Sequence, residues 1–438
     1  MAFGPRDTMK IRQNTRESRL SISRYRALAI ATASMFVVGC AISSQQSPEN
    51  PSFEQHLVTQ EKDNLIVSVA VLTDDEAEQY FGSPLGKEDI QAVWLKVQNK
   101  NTYPVGLLSR SMDPEYFSAF EVSYPNHRAF SDDTNRKMDE FFRRSQFPLF
   151  VEPGETDSGF VFTSRSEGTK FVNVEFWRRM GLTQDGFFMK LPVGGFDFQE
   201  TDFSTIYSSD QIKPLSLSEL RDLLEKMPCC TTNDSGTKSG DPVNFVLIGD
   251  EDDVLGVLTK EGWDPTHSIG KQSVGRTIAS FLFGGRYRYS PVSRLNYLGR
   301  SQDLALQKVR STIHQRNHLR LWRSPYTYEG QAVWAGQISR DIGVRFTWTS
   351  PILVTHKIDP DVDETRNYLV QDMIASGNLA AVGYVTGVGA ASEEAPRRNL
   401  TGDPYFTDGL RAVLFISGKP VPTNHINLIG WVTRLPTD

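Results

Sequence analysis

Apolar and polar residues alternate with a period of two through much of the first half of the chain. Leu65-Ile-Val-Ser-Val-Ala-Val-Leu72 is a predicted strand. Thr73-Asp-Asp-Glu76 follows with capping-box spacing and opens a short helix that stops at Gly82. Val93, Leu95 and Val97 alternate with Trp94, Lys96 and Gln98 ahead of a polar Asn-Lys-Asn turn. Glu152-Pro-Gly-Glu-Thr156 reads as a turn into a strand at Ser158–Thr163, and Phe171–Phe176 is the next strand. Asn135–Arg144 has helical composition. Short strands separated by turn signals predict a β-sandwich.

The second half mixes both periods. Ser216-Leu-Ser-Glu219 caps a helix through Lys226, and Pro228 to Gly240 reads as a linker. Asn244–Ile248 is a buried strand. Asp250 begins a helix with Val254, Leu255 and Leu258 inward, ending at Gly262. Leu319–Arg323 and Ala332–Ser339 form a hairpin across Tyr326–Gly330. Asp361-Val-Asp-Glu364 caps a helix with Leu369, Val370, Met373 and Ile374 inward, closed by Gly377. Ala380–Val388 and Leu410–Ile416 are two more strands. The insertion from Lys271 to about Asn317 carries a helix with Val274, Ile278, Phe281 and Leu282 on one face. The fold class expected is α+β, a β-sandwich followed by an α+β domain of the ferredoxin-like β-α-β-β-α-β kind with a helical basic insertion.

A length of 438 residues calls for two cores, and 39% hydrophobic content supplies them. A net charge of −6 argues against general nucleic-acid binding. The N-terminus changes the picture most. Basic residues from Arg6 to Arg26 precede an uncharged run, Ala27–Gly39, too short to span a bilayer as a stable helix. It ends in Val37-Val-Gly-Cys40, the pattern of a bacterial lipobox, with Cys40 as the acylated residue carrying palmitate-type chains that anchor the protein. The expected organisation is a signal peptide at 1–39, lipidated Cys40 and a flexible tether to 60, a sandwich domain at 61–212, helix and linker at 213–241, and the α+β domain at 242–438. The address implied is the bacterial cell envelope, periplasm-facing, with the outer membrane favoured because Ala41 follows the cysteine. Cys229 and Cys230 are adjacent. Their Cα separation of about 3.8 Å lies below the usual disulfide span, so two buried thiols are expected before a vicinal bridge.

Polar groups crowd between Ser290 and Met373. The signature Pro291-Val-Ser, Gln302-Asp, Gln307-Lys, His318-Leu-Arg-Leu-Trp, Thr355-His-Lys-Ile-Asp-Pro-Asp-Val-Asp-Glu-Thr-Arg366 resembles the LssY C-terminal domain family, from about Asp241 to Ser417. The resemblance implies an envelope and lipid context, since relatives fuse this domain to DedA-type membrane segments and to a lipid-phosphatase domain. It implies no catalytic mechanism. The Pro-Gly-Glu-Thr turn of the first half is in turn similar to immunoglobulin-like domains of envelope lipoproteins.

Two sets of residues carry candidate chemistry. From Lys271 to Arg323 there are eleven Lys/Arg and one acid, Asp303. Arg288, Arg294, Arg300, Lys308, Arg320 and Arg366 are the candidate ligand-binding residues, because guanidinium groups fork onto phosphate or carboxylate. The blander alternative pairs these cations with acidic helix starts. The second set, His318, His356, Asp303 and Asp359, supplies the groups for acid–base hydrolysis. Asp361 and Asp363 already have helix-capping roles, and the spacing fits no metal motif. Gln302, Asp303, Gln307 and Lys308 are spaced to share a helix face and to pair with Arg320 or Arg366 in a buried polar network that fixes the domain, a reading preferred to catalysis. The functions expected are an envelope binding or accessory module for an anionic lipid, phosphorylated or glycan ligand; a hydrolase of such a substrate; or a structural partner of another envelope protein. The sequence names no cofactor.

Overall fold

The computed structural model describes residues 52–166, 169–178, 181–182, 186–193, 202–266, 294–309, 316–346 and 354–432. The predicted insertion helix, the lipobox cysteine and Arg288 lie outside them. Strands β1 (Val58–Lys62), β2 (Leu65–Val71), β3 (Ile90–Asn99) and β6 (Thr156–Ser164) form an antiparallel sheet in the order β1-β2-β3-β6. Alternation sends Val93, Leu95 and Val97 to one face and Ala92 and Trp94 to the other. The first face packs on two smaller sheets. One pairs β7 (Thr169–Val174) with β10 (Phe187–Pro192); the other joins β4 (Val105–Leu107), β5 (Phe150–Val151), β8 (Phe176–Arg178) and β9 (Gly181–Leu182). The second face is covered by helices α1 (Asp74–Phe81), α2 (Ala119–Ser123) and α3 (Asp132–Ser145), which contribute Phe81, Val122 and Phe142. Thr73 and Glu76 make the reciprocal capping box, and Gly82 ends α1 in the left-handed region at φ 66°.

The second half is built on one large mixed sheet. Its strands are β14 (Phe245–Ile248), β15 (Asp264–Pro265), β18 (Leu304–Val309), β19 (Arg316–Tyr328), β20 (Gln331–Phe346), β22 (Leu379–Val385), β25 (Arg411–Ile416) and β26 (Asn427–Ile429). The order is β15-β18-β19-β20-β14-β25-β22-β26, with β11 (Lys213–Leu215) beside β19 and β21 (Val354–Ile358) beside β20. β14 runs antiparallel to β20 and parallel to β25. Helices α5 (Glu251–Lys260) and α6 (Val362–Ala375) cover one face over a core of Phe245, Leu247, Leu319, Leu321 and Trp334. Helix α4 (Leu217–Lys226) covers part of the other, over Val246, Ile248, Trp322 and Phe415. At the centre, Gly336 stands opposite Phe245, where an added Cβ would lie 2.1 Å from the ring. Only glycine fits there.

The α+β class holds. Pro48–Asp438 forms one compact unit, and Phe188 and Phe203 of the first half enter the same core as α5 and α6. Among the described residues, no helix is long and apolar enough to cross a membrane. Three local expectations are corrected. Gln302–Lys308 is not a helix face: from Leu304 it is strand β18, with Leu304 and Leu306 on one face paired with Leu321 and Leu319. The stretch read as a linker carries β12 (Cys230–Thr232) and β13 (Ser239–Pro242), which join β16 (Asn296–Tyr297) and β17 (Arg300–Ser301) in a small sheet. At its corner Cys229 and Cys230 form a vicinal disulfide rather than two thiols. Cys229 precedes the ladder and its carbonyl accepts the Val243 N–H at 2.8 Å, leaving the pair room to close.

Candidate functional site

The β19–β20 hairpin places a polar layer inside the protein. Side chains alternate across β19, so Leu319 and Leu321 enter the helix-covered core while Arg316, His318 and Arg320 share the other face. On β20, Asp341, Ser339 and Gln337 lie on that same face, with His318 opposite Ser339 and Arg320 opposite Gln337. Gln307 of β18 stands opposite His318 from the other side. All seven are buried.

The contacts are directional. Asp341 Oδ2 lies 2.7 Å from His318 Nε2 and accepts Arg316 Nε at 3.1 Å. Arg316 Nη1 donates to Gln307 Oε1 at 2.9 Å, and Arg320 Nη1 to Gln337 Oε1 at 2.6 Å. The carboxylate on Nε2 holds the imidazole proton on that nitrogen and turns the lone pair of Nδ1 away from it. Burial, reinforced by the two guanidinium groups against the pull of Asp341, lowers the His318 pKa to about 4, so the ring is neutral at neutral pH. Burial also lowers Arg320 to about 10 despite the attraction of Asp241 and Asp341. Two atoms of this layer, His318 Nδ1 and Gln337 Nε2, have no hydrogen-bond partner among the described residues. One is an acceptor and the other a donor, on diagonal cross-strand neighbours. Together they complement a hydroxyl, which offers both.

The sequence-derived residues are dispersed. Arg300 grips Asp303 through Nη1 and Nη2 at 2.6 and 2.7 Å, and Asp303 also accepts the Arg323 N–H at 2.6 Å. Arg323 is five positions beyond His318 on β19, about 16 Å at the ~3.3 Å rise of a strand, so Asp303 and His318 do not meet. Asp359 accepts the Asp361 N–H at 3.1 Å and lies 3.9 Å from Arg340, a turn-stabilising position at the end of β21. The backbone of His356 pairs with Val344, and its side chain lies outside the described residues. Lys308 donates to Asp372 at 2.8 Å. Arg366 is bidentate to Asp408 at 2.8 and 2.9 Å, bonds Asp363 at 3.1 Å, and is buried over Tyr384. Arg300, Lys308 and Arg366 are thus committed to carboxylates. Arg294 is exposed, and Arg320 is buried in the polar layer.

Of the sequence candidates, the structure brings His318, Arg320 and Gln307 together. It adds Arg316, Gln337 and Asp341, which sequence reasoning did not single out. Their signal is a pair of period-two rows, Arg316-x-His318-x-Arg320 and Gln337-x-Ser339-x-Asp341, that pair across one hairpin. Among the described residues no group of three or more His, Cys, Asp or Glu is arranged to hold a metal ion. Residues 220–410 match the family model described as LssY C-terminus. No curated protein matches the chain.

Proposed function

We propose that this chain, which carries an LssY C-terminal domain, is a lipid-anchored envelope protein whose C-terminal half binds a hydroxyl-bearing polar ligand, a phosphorylated or glycan headgroup, at the polar layer of β19 and β20. The observation that supports the ligand site is the pair His318 Nδ1 and Gln337 Nε2, buried on one sheet face and without a hydrogen-bond partner among the described residues. Leaving such atoms without partners costs roughly 1–3 kcal/mol each. A ligand hydroxyl recovers both bonds at once. A hydrogen phosphate has such a hydroxyl. The anchor, signal peptide and outer-membrane address rest on the lipobox ending at Cys40. On this reading the first half is an immunoglobulin-like sandwich, and the second a ferredoxin-like sheet widened at both edges.

A hydrolase is the second reading, favoured by one feature. Asp341 on Nε2 leaves neutral Nδ1 as a base, the arrangement that general-base catalysis uses. Calorimetric titration of the purified protein with inorganic phosphate, glycerol 3-phosphate and a neutral oligosaccharide separates these readings. Saturable binding that falls at least about tenfold in His318→Gln and Gln337→Ala supports the module. Turnover of glycerol 3-phosphate that His318→Gln abolishes moves the assignment to the hydrolase. Neither binding nor turnover leaves a protein partner and ends both.

A further inference from the structure

The bridge between Cys229 and Cys230 is placed where it cannot staple distant parts of the chain. A disulfide stabilises chiefly by restricting the loops open to the unfolded chain, and a bridge between adjacent residues closes no loop. What it fixes is one peptide unit, and that unit belongs to an anchor. The Pro228 carbonyl accepts the Tyr297 hydroxyl at 2.9 Å and Arg411 Nη2 at 3.1 Å. The Cys229 carbonyl accepts the Val243 N–H at 2.8 Å. Arg411 is fully buried on β25 and also donates to the Val243 carbonyl, at 2.8 Å, and to the Leu224 carbonyl of α4. Through these bonds the bend at 228–230 ties the end of α4 to the central sheet. The two sulfurs are not equivalent. Cys229 follows exposed Pro228 and is half-buried, whereas Cys230 is buried and begins β12. Cys230 Sγ lies 3.8 Å from the Tyr405 hydroxyl. Burial raises the Tyr405 pKa despite the pull of Arg397, so that hydroxyl keeps its proton at neutral pH and can donate it to a sulfur that gains charge.

We infer that Cys229–Cys230 is a thiol–disulfide exchange site, entered at Cys229 by a dithiol reductant and opened towards Cys230, and that its reduction loosens the anchor of α4. The thiolate of the reductant bonds to Cys229 Sγ; the bridge breaks, and its electron pair leaves on Cys230 Sγ, which takes up a proton beside Tyr405. The second thiol of the reductant then attacks the mixed disulfide, releases Cys229 as a thiol and departs joined to the first as a disulfide. Two electrons and two protons pass to the protein. Access sets the order, because the incoming sulfur must reach the one it bonds to, and Cys230 is enclosed. Once the bridge is open, the backbone at 228–230 regains rotation. The carbonyls of Pro228 and Cys229 are then no longer held toward Tyr297, Arg411 and Val243. None of these groups belongs to the polar layer of β19 and β20, so this site stands whether or not that layer binds a ligand.

The test uses the purified full chain without denaturant. Alkylation before any reductant should find Cys229 and Cys230 closed to label, and dithiothreitol should open both while the protein stays folded. Glutathione adducts, trapped by acid and located by fragment mass, should stand on Cys229 in excess over Cys230 by about tenfold or more. Hydrogen exchange of the Val243 and Met227 amides, bonded to the Cys229 and Leu223 carbonyls, should rise about tenfold or more on reduction and return on reoxidation. The variant Cys229→Ser/Cys230→Ser should exchange at the reduced rate with or without dithiothreitol. Adduct mapping and exchange on the native chain need no variant, so they decide the matter if that one fails to fold. Two free thiols before reduction, opening only in denaturant, glutathione on Cys230 or equally on both, or exchange unchanged by reduction each overturns the proposal.

Discussion

The two faces of β19 and β20 are equally buried and chemically opposite. On one, Leu319, Leu321, Trp334 and Ile338 lie against α5 and α6, the packing that apolar transfer and dispersion reward. On the other, Arg316, His318, Arg320, Gln337 and Asp341 are almost as inaccessible. Removing an ion from water costs several kcal/mol even after pairing, and a hydrophobic replacement of such a cluster is often neutral or stabilising. The apolar face explains why the sheet folds. The polar face does not help it fold, and the donor and acceptor that have no partner among the described residues are what the proposed ligand would complete.

That contrast is open to breaking. The largest effect is expected from Asp341→Ala, which leaves Arg316 buried without its carboxylate and should cost about 3–5 kcal/mol in urea unfolding. Leu321→Ala on the apolar face should cost about 2–5 kcal/mol by opening a cavity. The first loss reports a buried charge left without its partner and not net stabilisation by the pair; a negligible loss for Asp341→Ala would mean that water reaches the polar face. Next comes pH. The folded pKa of His318 is depressed to about 4 from its ordinary 6.5, so the unfolded chain takes up the proton first. This contribution is complete above pH 6.5 and lost as pH falls from 6.5 towards 4, by up to about 3 kcal/mol. Thermal melts across that window should slope in the native protein and flatten in His318→Gln. At pH 7.5 the same variant should change stability by about 1 kcal/mol or less, because the neutral ring donates to Asp341 alone. If it proves far more destabilising, the layer is architecture and the ligand site fails. The smallest effect is expected of Arg294→Ala, exposed and outside the layer, within about 0.5 kcal/mol in the same melts and without change in phosphate binding.

Much of the scaffold was legible because local chemistry decided it. Thr73–Glu76 and Ser216–Glu219 close as reciprocal capping boxes, and Asp361 accepts the N–H groups of Asp363 and Glu364, because a polar side chain at those positions satisfies otherwise unpaired donors. The hairpin turning at Glu329–Gly330 follows from the positive φ of both residues. What could not be read was which polar face of a strand meets water. Period-two alternation in Arg316–Trp322 predicts two faces and says nothing of what covers each. The Gln302–Lys308 segment misled for a related reason: polar residues at 302, 303, 307 and 308 match helical spacing, while the deciding pair, Leu304 and Leu306, is too short a run to announce a strand. The basic excess read as a ligand surface was resolved by carboxylates distant in sequence, as in Lys308 with Asp372 and Arg366 with Asp408.

The pairing of β14 has a consequence in time. Phe245 begins the strand at the centre of the sheet, yet one of its two neighbours is β25, where it lies beside Ala412. As the chain emerges during synthesis, the central strand must wait for nearly the whole domain before that side is closed. Until then it presents an unpaired apolar edge, the feature most prone to capture by another chain. Contacts so distant in sequence fold slowly. A nascent chain halted before Arg411 is therefore expected to aggregate or be degraded rather than wait, so this domain matures only when its synthesis is almost complete.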